Sequence, residues 1–207
     1  MKTICIFGAD GRTGKLVVEE ALKRGHRVQG FAYKNNHNFP KEVLILEGNV
    51  IEQNDVLQAV SGCDAIISVL GHIKGSDPLM QTKGIRNIVN AMQKSSITRI
   101  ISLTGTGVRQ PGDKPSLIDR ILNLGIRLTD PERIKDGIEH AKILQNSNLD
   151  WTILRVLKLG NSNREPKNIH LTPGGPAELL TSRKKAAKIL VSLTESNDFN
   201  HQMPVSS

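Results

Sequence analysis

The chain has 207 residues, the size of one α/β domain, and a core at that length buries roughly 70% of the unfolded surface without disulfide or metal staples. Hydrophobic residues make up 38% and charged residues 23%, which excludes a disordered chain, and with aromatics at only 3% the core falls to Ile, Leu, Val and Ala, as a buried parallel sheet requires. The formal net charge of +8 admits a nucleic acid, an acidic surface or an anionic small ligand, but the basic residues are dispersed and one Trp and one Tyr give no stacking platform for bases.

Taken in chain order, β-type runs at 3–7, 27–33, 42–46, 65–70, 99–103 and 151–156 alternate with helical patterns at 15–24, 54–60, 82–94, 134–146 and 183–192. Strand–helix alternation implies parallel strands joined by right-handed crossovers, hence a three-layer, doubly wound α/β sheet of Rossmann type. Two irregular stretches interrupt the rhythm. Residues 105–131 are rich in Gly, Pro and Arg around an apolar piece at 117–128, and residues 157–176 carry Pro166, Pro173, Gly174, Gly175 and Pro176. Each follows the C-terminal end of a strand, where open α/β sheets bind ligands, so both are expected to wall a substrate site within a single domain spanning 1–207. Cys5 and Cys63 read as small buried side chains, with neither a disulfide framework nor a metal spacing. No apolar run reaches the ~18 residues of a membrane span, and Met1 leads straight into a strand. The expectation is therefore a cytoplasmic protein, monomer or homodimer, with a small-molecule substrate, no membrane partner, no metal and no nucleic acid.

The first strand ends in Gly8-Ala9-Asp10-Gly11-Arg12-Thr13-Gly14. A glycine-rich turn between the first strand and first helix of such a pattern cradles a pyrophosphate on backbone N–H groups and the positive helix end. Gly8 allows the tight turn, Gly11 lets the phosphate approach, and Gly14 lets helix and strand pack closely. A dinucleotide fold that takes NAD usually carries an acid at the end of its second strand, to hold the ribose hydroxyls. Here that strand ends in Phe31-Ala32-Tyr33-Lys34, and Arg12 and Lys34 instead offer positive charge to a 2′-phosphate. NADP(H) is thus favoured over NAD(H).

These residues resemble the atypical short-chain dehydrogenase/reductase superfamily, in its NAD(P)H-binding branch of NmrA-like and biliverdin-IXβ/flavin reductase-like proteins. Gly8 to Gly14 is similar to that branch's G-A-T-G-x-T-G. Gly48-Asn49-Val50 resembles its G-D-V, and 62–71, ending in Leu70-Gly71, resembles the G-x-D-A-V-I-x-x-L-G that lines the cofactor. Residues 84–89 are similar to the helix that follows, and 147–155 resemble S-G-L-D-W-T-I-L-R. The resemblance implies that Gly8, Asp10, Gly11, Arg12, Thr13, Gly14, Tyr33, Lys34, Asn49, Val50, Leu70, Gly71, Thr104 and Val156 surround the cofactor. Val156 stands where the family often has Pro. The superfamily's catalytic Tyr and Lys would fall near Arg133 and Gly137, so that motif is absent, and Thr104 lies nearest the family's serine.

Without that pair an alcohol oxidation lacks its general base, whereas reduction of a conjugated acceptor needs little more than orientation and a weak acid. Thr104, His72 and Lys142 are the candidate catalytic residues, each with a plain alternative as a strand-end threonine, a loop histidine and a solvated helix lysine. Arg109 and Arg127 offer charge to an acidic substrate. The favoured function is an NADPH-dependent oxidoreductase that passes hydride to a flavin-, quinone- or tetrapyrrole-like acceptor. The alternatives are an NmrA-like sensor that binds NADP without turnover and a nucleic-acid- or anion-binding protein using the basic helix around Arg183, Lys184, Lys185 and Lys188.

Overall fold

A computed structural model describes residues 1–33, 39–72, 75–162, 164–166 and 168–207. Strand β1 (Thr3–Phe7) buries both faces: Ile4 and Ile6 point to one side of the sheet, Cys5 and Phe7 to the other. A strand apolar on both faces needs helices on both, and the chain provides them. Helices α1 (Arg12–Lys23) and α6 (Arg183–Glu195) cover one face, while α2 (Gln53–Val60), α3 (Met80–Lys94) and α5 (Pro131–Gln145) cover the other.

The main sheet adds β2 (Arg27–Ala32), β3 (Leu44–Glu47), β4 (Ala65–Ser68), β5 (Arg99–Gly105), β6 (Asp150–Val156), β8 (Leu171–Thr172) and β10 (Val205–Ser206) in the order β3-β2-β1-β4-β5-β6-β10-β8. A small separate pair joins β7 (Leu159–Gly160) to β9 (Thr181–Ser182). The first six strands of the main sheet run parallel, in register Ile4↔Ala65 between β1 and β4 and Ile100↔Trp151 between β5 and β6. The doubly wound expectation therefore holds, with one addition: β8 closes the far edge antiparallel to β10. The strand order reverses between β1 and β4, and the crevice above that point, at the C-terminal strand ends, is where such sheets bind ligands.

The two irregular stretches lie on that same rim. The first contains helix α4 (Leu117–Thr129), started by Ser116, whose side chain accepts from Asp119 N. The second returns across it, with Lys114 N donating to Gly174 O at 2.8 Å. Arg155, fully buried at the end of β6, ties both down: it donates to Val108 O at 3.0 Å, to Pro173 O at 3.2 Å, to Met203 O at 2.8 Å and to the Asp113 carboxylate.

Candidate cofactor and acceptor site

At the end of β1 the backbone turns through Gly8 at φ +80°, a left-handed conformation that L side chains rarely adopt. Gly8 N and Ala9 N both donate to Phe31 O, which fixes the turn to β2. A Cβ on Gly14 would stand 2.0 Å from Gly8 O, so α1 touches the turn backbone itself. Helix α1 is capped by Gly11, which has no side chain to satisfy its first N–H groups, and its first turn carries no acid. Those donors and the positive helix end face the cavity, an arrangement suited to a phosphate.

The cavity has a volume of about 1160 Å³ and runs along the strand ends. Asp10, Gly11, Arg12 and Thr13 form one end, and Tyr33, Asn49 and Val50 border it from the ends of β2 and β3. Leu70, Gly71 and His72 follow from β4, Thr104 from β5 and Val156 from β6. Asn49 is braced, its side-chain oxygen accepting from Ile51 N at 3.2 Å while its N–H donates to Asp55. Gly14 lies behind the turn instead of on the wall, in keeping with a packing role. Lys34 lies outside the described residues.

The opposite end is built by α5 lying across β5. Ser102 and Thr104 point from β5 towards this helix. His140 meets Ser102 at 2.7 Å, and Gly137, one turn nearer the helix start, lies over Thr104. Arg133, a further turn on, lines the cavity. A Cβ on Gly137 would stand 3.0 Å from Val108 Cγ2 and 3.2 Å from Thr104 Oγ1, so the position where the superfamily pattern would place its lysine borders the cavity but is tightly packed against β5 and Val108. His140 is wholly buried; desolvation pushes its pKa down to about 4, against the pull of Asp136, and the ring is neutral.

Asp136 is a feature that sequence reasoning missed. It is fully buried on α5, yet it caps α3: Gln81 N and Thr82 N donate to its carboxylate at 3.0 and 2.9 Å, and Thr82 Oγ1 donates at 2.5 Å. Leu79, at the helix's own cap position, has no side chain able to do this. His72 Nε2 lies 2.9 Å from Asp136 Oδ2, at ion-pair distance but without the N–H aimed along the contact. The only local sequence signal was the poor cap before α3; the partner lies 55 residues away.

Of the three catalytic candidates, the structure brings Thr104 and His72 to the cavity and leaves Lys142 out. Residues 133, 134 and 137 of α5 share the cavity face; Lys142 points to solvent and pairs with Glu139 at 2.8 Å. Arg109 is bound to the buried Asp119 carboxylate, and Arg127 is exposed on α4. The basic helix is also different from its sequence appearance. Lys184 and Lys188 both pair with Glu165, and Lys185 pairs with Glu178. Arg183 instead turns into the cavity wall, held by the Asn161 side chain and close enough to Arg12 for its charge to be felt. Among the described residues no group of three or more His, Cys, Asp or Glu could hold a metal ion, and no helix is long and apolar enough to cross a membrane.

A family model described as NAD(P)H-binding matches residues 8–197. Cinnamoyl-CoA reductase 1 from Oryza sativa subsp. japonica is 28% identical over 116 residues, covering 50% of this chain and 34% of that protein. The chain spans about a third to three fifths of the length of the curated relatives it matches. A short-chain dehydrogenase/reductase from Veillonella parvula, solved in complex with NADP, superposes with a TM-score of 0.80 at 20% identity, covering 100% of this chain and 95% of that one. The oxidoreductase YlbE from Lactococcus lactis superposes with a TM-score of 0.82 at 19% identity, covering 99% and 90%.

Proposed function

The chain belongs to the NAD(P)H-binding family, and on that premise we propose that it is an atypical short-chain dehydrogenase/reductase, an NADPH-dependent reductase of a small conjugated acceptor of flavin, quinone or tetrapyrrole type. The observation that carries this reading is one continuous cavity with a phosphate cradle at one end and Thr104 and His72 at the other. The glycine turn fits the cofactor, because a Cβ at Gly11 would project into the cavity beside Gly8 O, at 3.2 Å, where a pyrophosphate needs room. Arg12, with Arg183 beside it, supports NADP over NAD; no acid ends β2 to hold the ribose of NAD. Charge-assisted contacts of this kind are worth roughly 1.5–3 kcal/mol, one to two decades in affinity.

Bound NADPH supplies a hydride. The chain holds the phosphates on the α1 N–H groups, closes one wall with Leu70 and Val156, and orients the acceptor against the Thr104 hydroxyl. His72 donates a proton to the reduced acceptor, with the Asp136 carboxylate 2.9 Å from its Nε2 and opposite in charge to the protonated ring. The ring regains its proton from solvent through the small opening that His72 shares with Ser76 and Arg133. A Tyr/Lys alcohol oxidation has no place here, since Arg133 and Gly137 occupy the pattern's positions. The same feature favours a second reading, an NADP sensor without turnover.

Calorimetry with NADPH and NADH, and NADPH consumption over a panel of quinones, flavins and carbonyls, test both steps. The expected result is tighter NADPH binding and turnover of conjugated acceptors. Thr104→Val and His72→Asn should each lower kcat at least tenfold with cofactor affinity unchanged. Equal or tighter NADH binding sinks the cofactor preference, robust NADP-linked alcohol oxidation sinks the acceptor class, and NADPH binding with no turnover establishes the sensor.

A further inference from the structure

Helix α4 is built inside out. Two of its polar residues face the protein: Asp119, 1% exposed, binds Arg109, and Asn123 Nδ2 donates to Thr106 Oγ1 at 3.0 Å. Most of its apolar residues face solvent, while Leu122 and the half-buried Ile126 border the cavity. Leu117, Ile118, Ile121, Leu122, Leu124 and Leu128 are 40–77% exposed, on a single face of thirteen residues. Scattered exposed leucines need no explanation, but a contiguous face of this kind marks a contact surface.

We infer that this face packs against the same face of a second copy of the chain, as an antiparallel helix pair across a two-fold axis. Leu117, Ile121, Leu124 and Leu128 follow a 4-3-4 spacing, the seam of a helix pair. That spacing reads the same in both directions, so a two-fold axis near the helix midpoint sets Leu117 against the partner's Leu128 and Ile121 against the partner's Leu124, with no knob left over. Exposed Lys114 precedes the helix, and exposed Asp130 and Glu132 follow it among the exposed Arg127, Arg133 and Lys135, so antiparallel pairing brings each lysine near two carboxylates of the other copy. A Cβ at Gly125 would meet nothing within 4 Å, so nothing on the helix itself blocks a close crossing. The exposed apolar face is roughly 500 Å², and two of them reach the ~1,000 Å² at which an interface is stable. Arg120 and Arg127 fall on one border of the seam, at the wetted rim, where like charge costs little.

Analytical ultracentrifugation over a concentration series tests the pairing. The wild type should move from monomer to dimer. Ile121→Glu with Leu124→Glu, both outside the cavity lining, should weaken association at least tenfold while NADPH binding, and the thermal midpoint read at concentrations where both proteins are monomeric, stay unchanged. Register is read by mixing two single variants: Ile121→Cys with Leu124→Cys should cross-link under oxidation, and Leu117→Cys mixed with Leu124→Cys should not. The native Cys5 and Cys63 are buried and do not interfere. A monomer at every concentration, a dimer that survives the double glutamate variant, or cross-linking indifferent to register would overturn the inference. So would flotation of a monomer with phosphatidylglycerol vesicles that the same double variant abolishes.

Discussion

Gly11 and Gly14 are three residues apart in one motif, and the structure gives them different work. A Cβ on Gly11 meets only Gly8 O, at 3.2 Å, and otherwise points into the cavity; a Cβ on Gly14 meets backbone at 2.0 Å. Gly11→Val should therefore leave the protein folded, within about 1 kcal/mol, and reduce NADPH affinity roughly a hundredfold or more. Gly14→Val should cost about 3 kcal/mol or more and lower the urea midpoint. Both positions were legible, because strand, turn and helix are contiguous in sequence. His140 was not, because its partner Ser102 lies 38 residues away on another element. With a folded pKa near 4 and an ordinary value of 6.5, His140 binds its proton more readily in the unfolded chain. Stability is then complete above pH 6.5 and falls as pH drops towards 4, by about 3 kcal/mol. Urea unfolding at pH 7 and pH 5 checks this; His140→Gln should flatten the difference.

At the scale of elements, the strands were legible from their apolar runs, and the helix starts were displaced for one physical reason: caps lie outside the hydrophobic period. Helix α1 begins at Arg12 rather than residue 15 because Gly11 caps it, and α5 at Pro131 rather than 134 because Asp130 accepts from Arg133 N. Strands of two residues, such as β7 and β9, carry no period and could not be read. The basic run that opens α6 looked like an anion-binding surface. A helix turns by 100° per residue, so Arg183 faces the cavity while Lys184 and Lys188 reach Glu165. Burial and then the charge of Arg12 lower the Arg183 pKa. Arg183→Gln should weaken NADPH binding about tenfold, the loss of one charge-assisted contact, while Lys188→Gln leaves it unchanged. Isothermal titration distinguishes the two, and equal effects would return Arg183 to the surface cluster.

At the scale of the molecule, the alternation of strands and helices shows a doubly wound sheet, but nothing in it shows what holds the irregular stretches over the cavity. That task falls to Arg155, inside a segment whose apolar neighbours read as plain strand. Burial alone would raise the Asp113 carboxyl; bonds from Arg155 and from Gln110 N outweigh it and hold the pKa below the usual carboxylate range. The pair therefore joins β6, the segment before α4, the loop at Pro173 and the C-terminal end through Met203. Arg155→Met nearly conserves volume but strands a buried carboxylate and three carbonyls. Removing one member of a buried pair costs about 3–5 kcal/mol. Adding Asp113→Asn takes away the stranded charge and should return part of that loss, which a simple packing defect would not allow. The glycine turn lies at the other end of the cavity, so the single variant should keep NADPH affinity within about twofold while the acceptor KM rises as the walls loosen. Urea unfolding of both variants, with NADPH titration of the folded protein, reads each arm. A single variant as stable as the wild type would show that the walls are held by something other than this arginine.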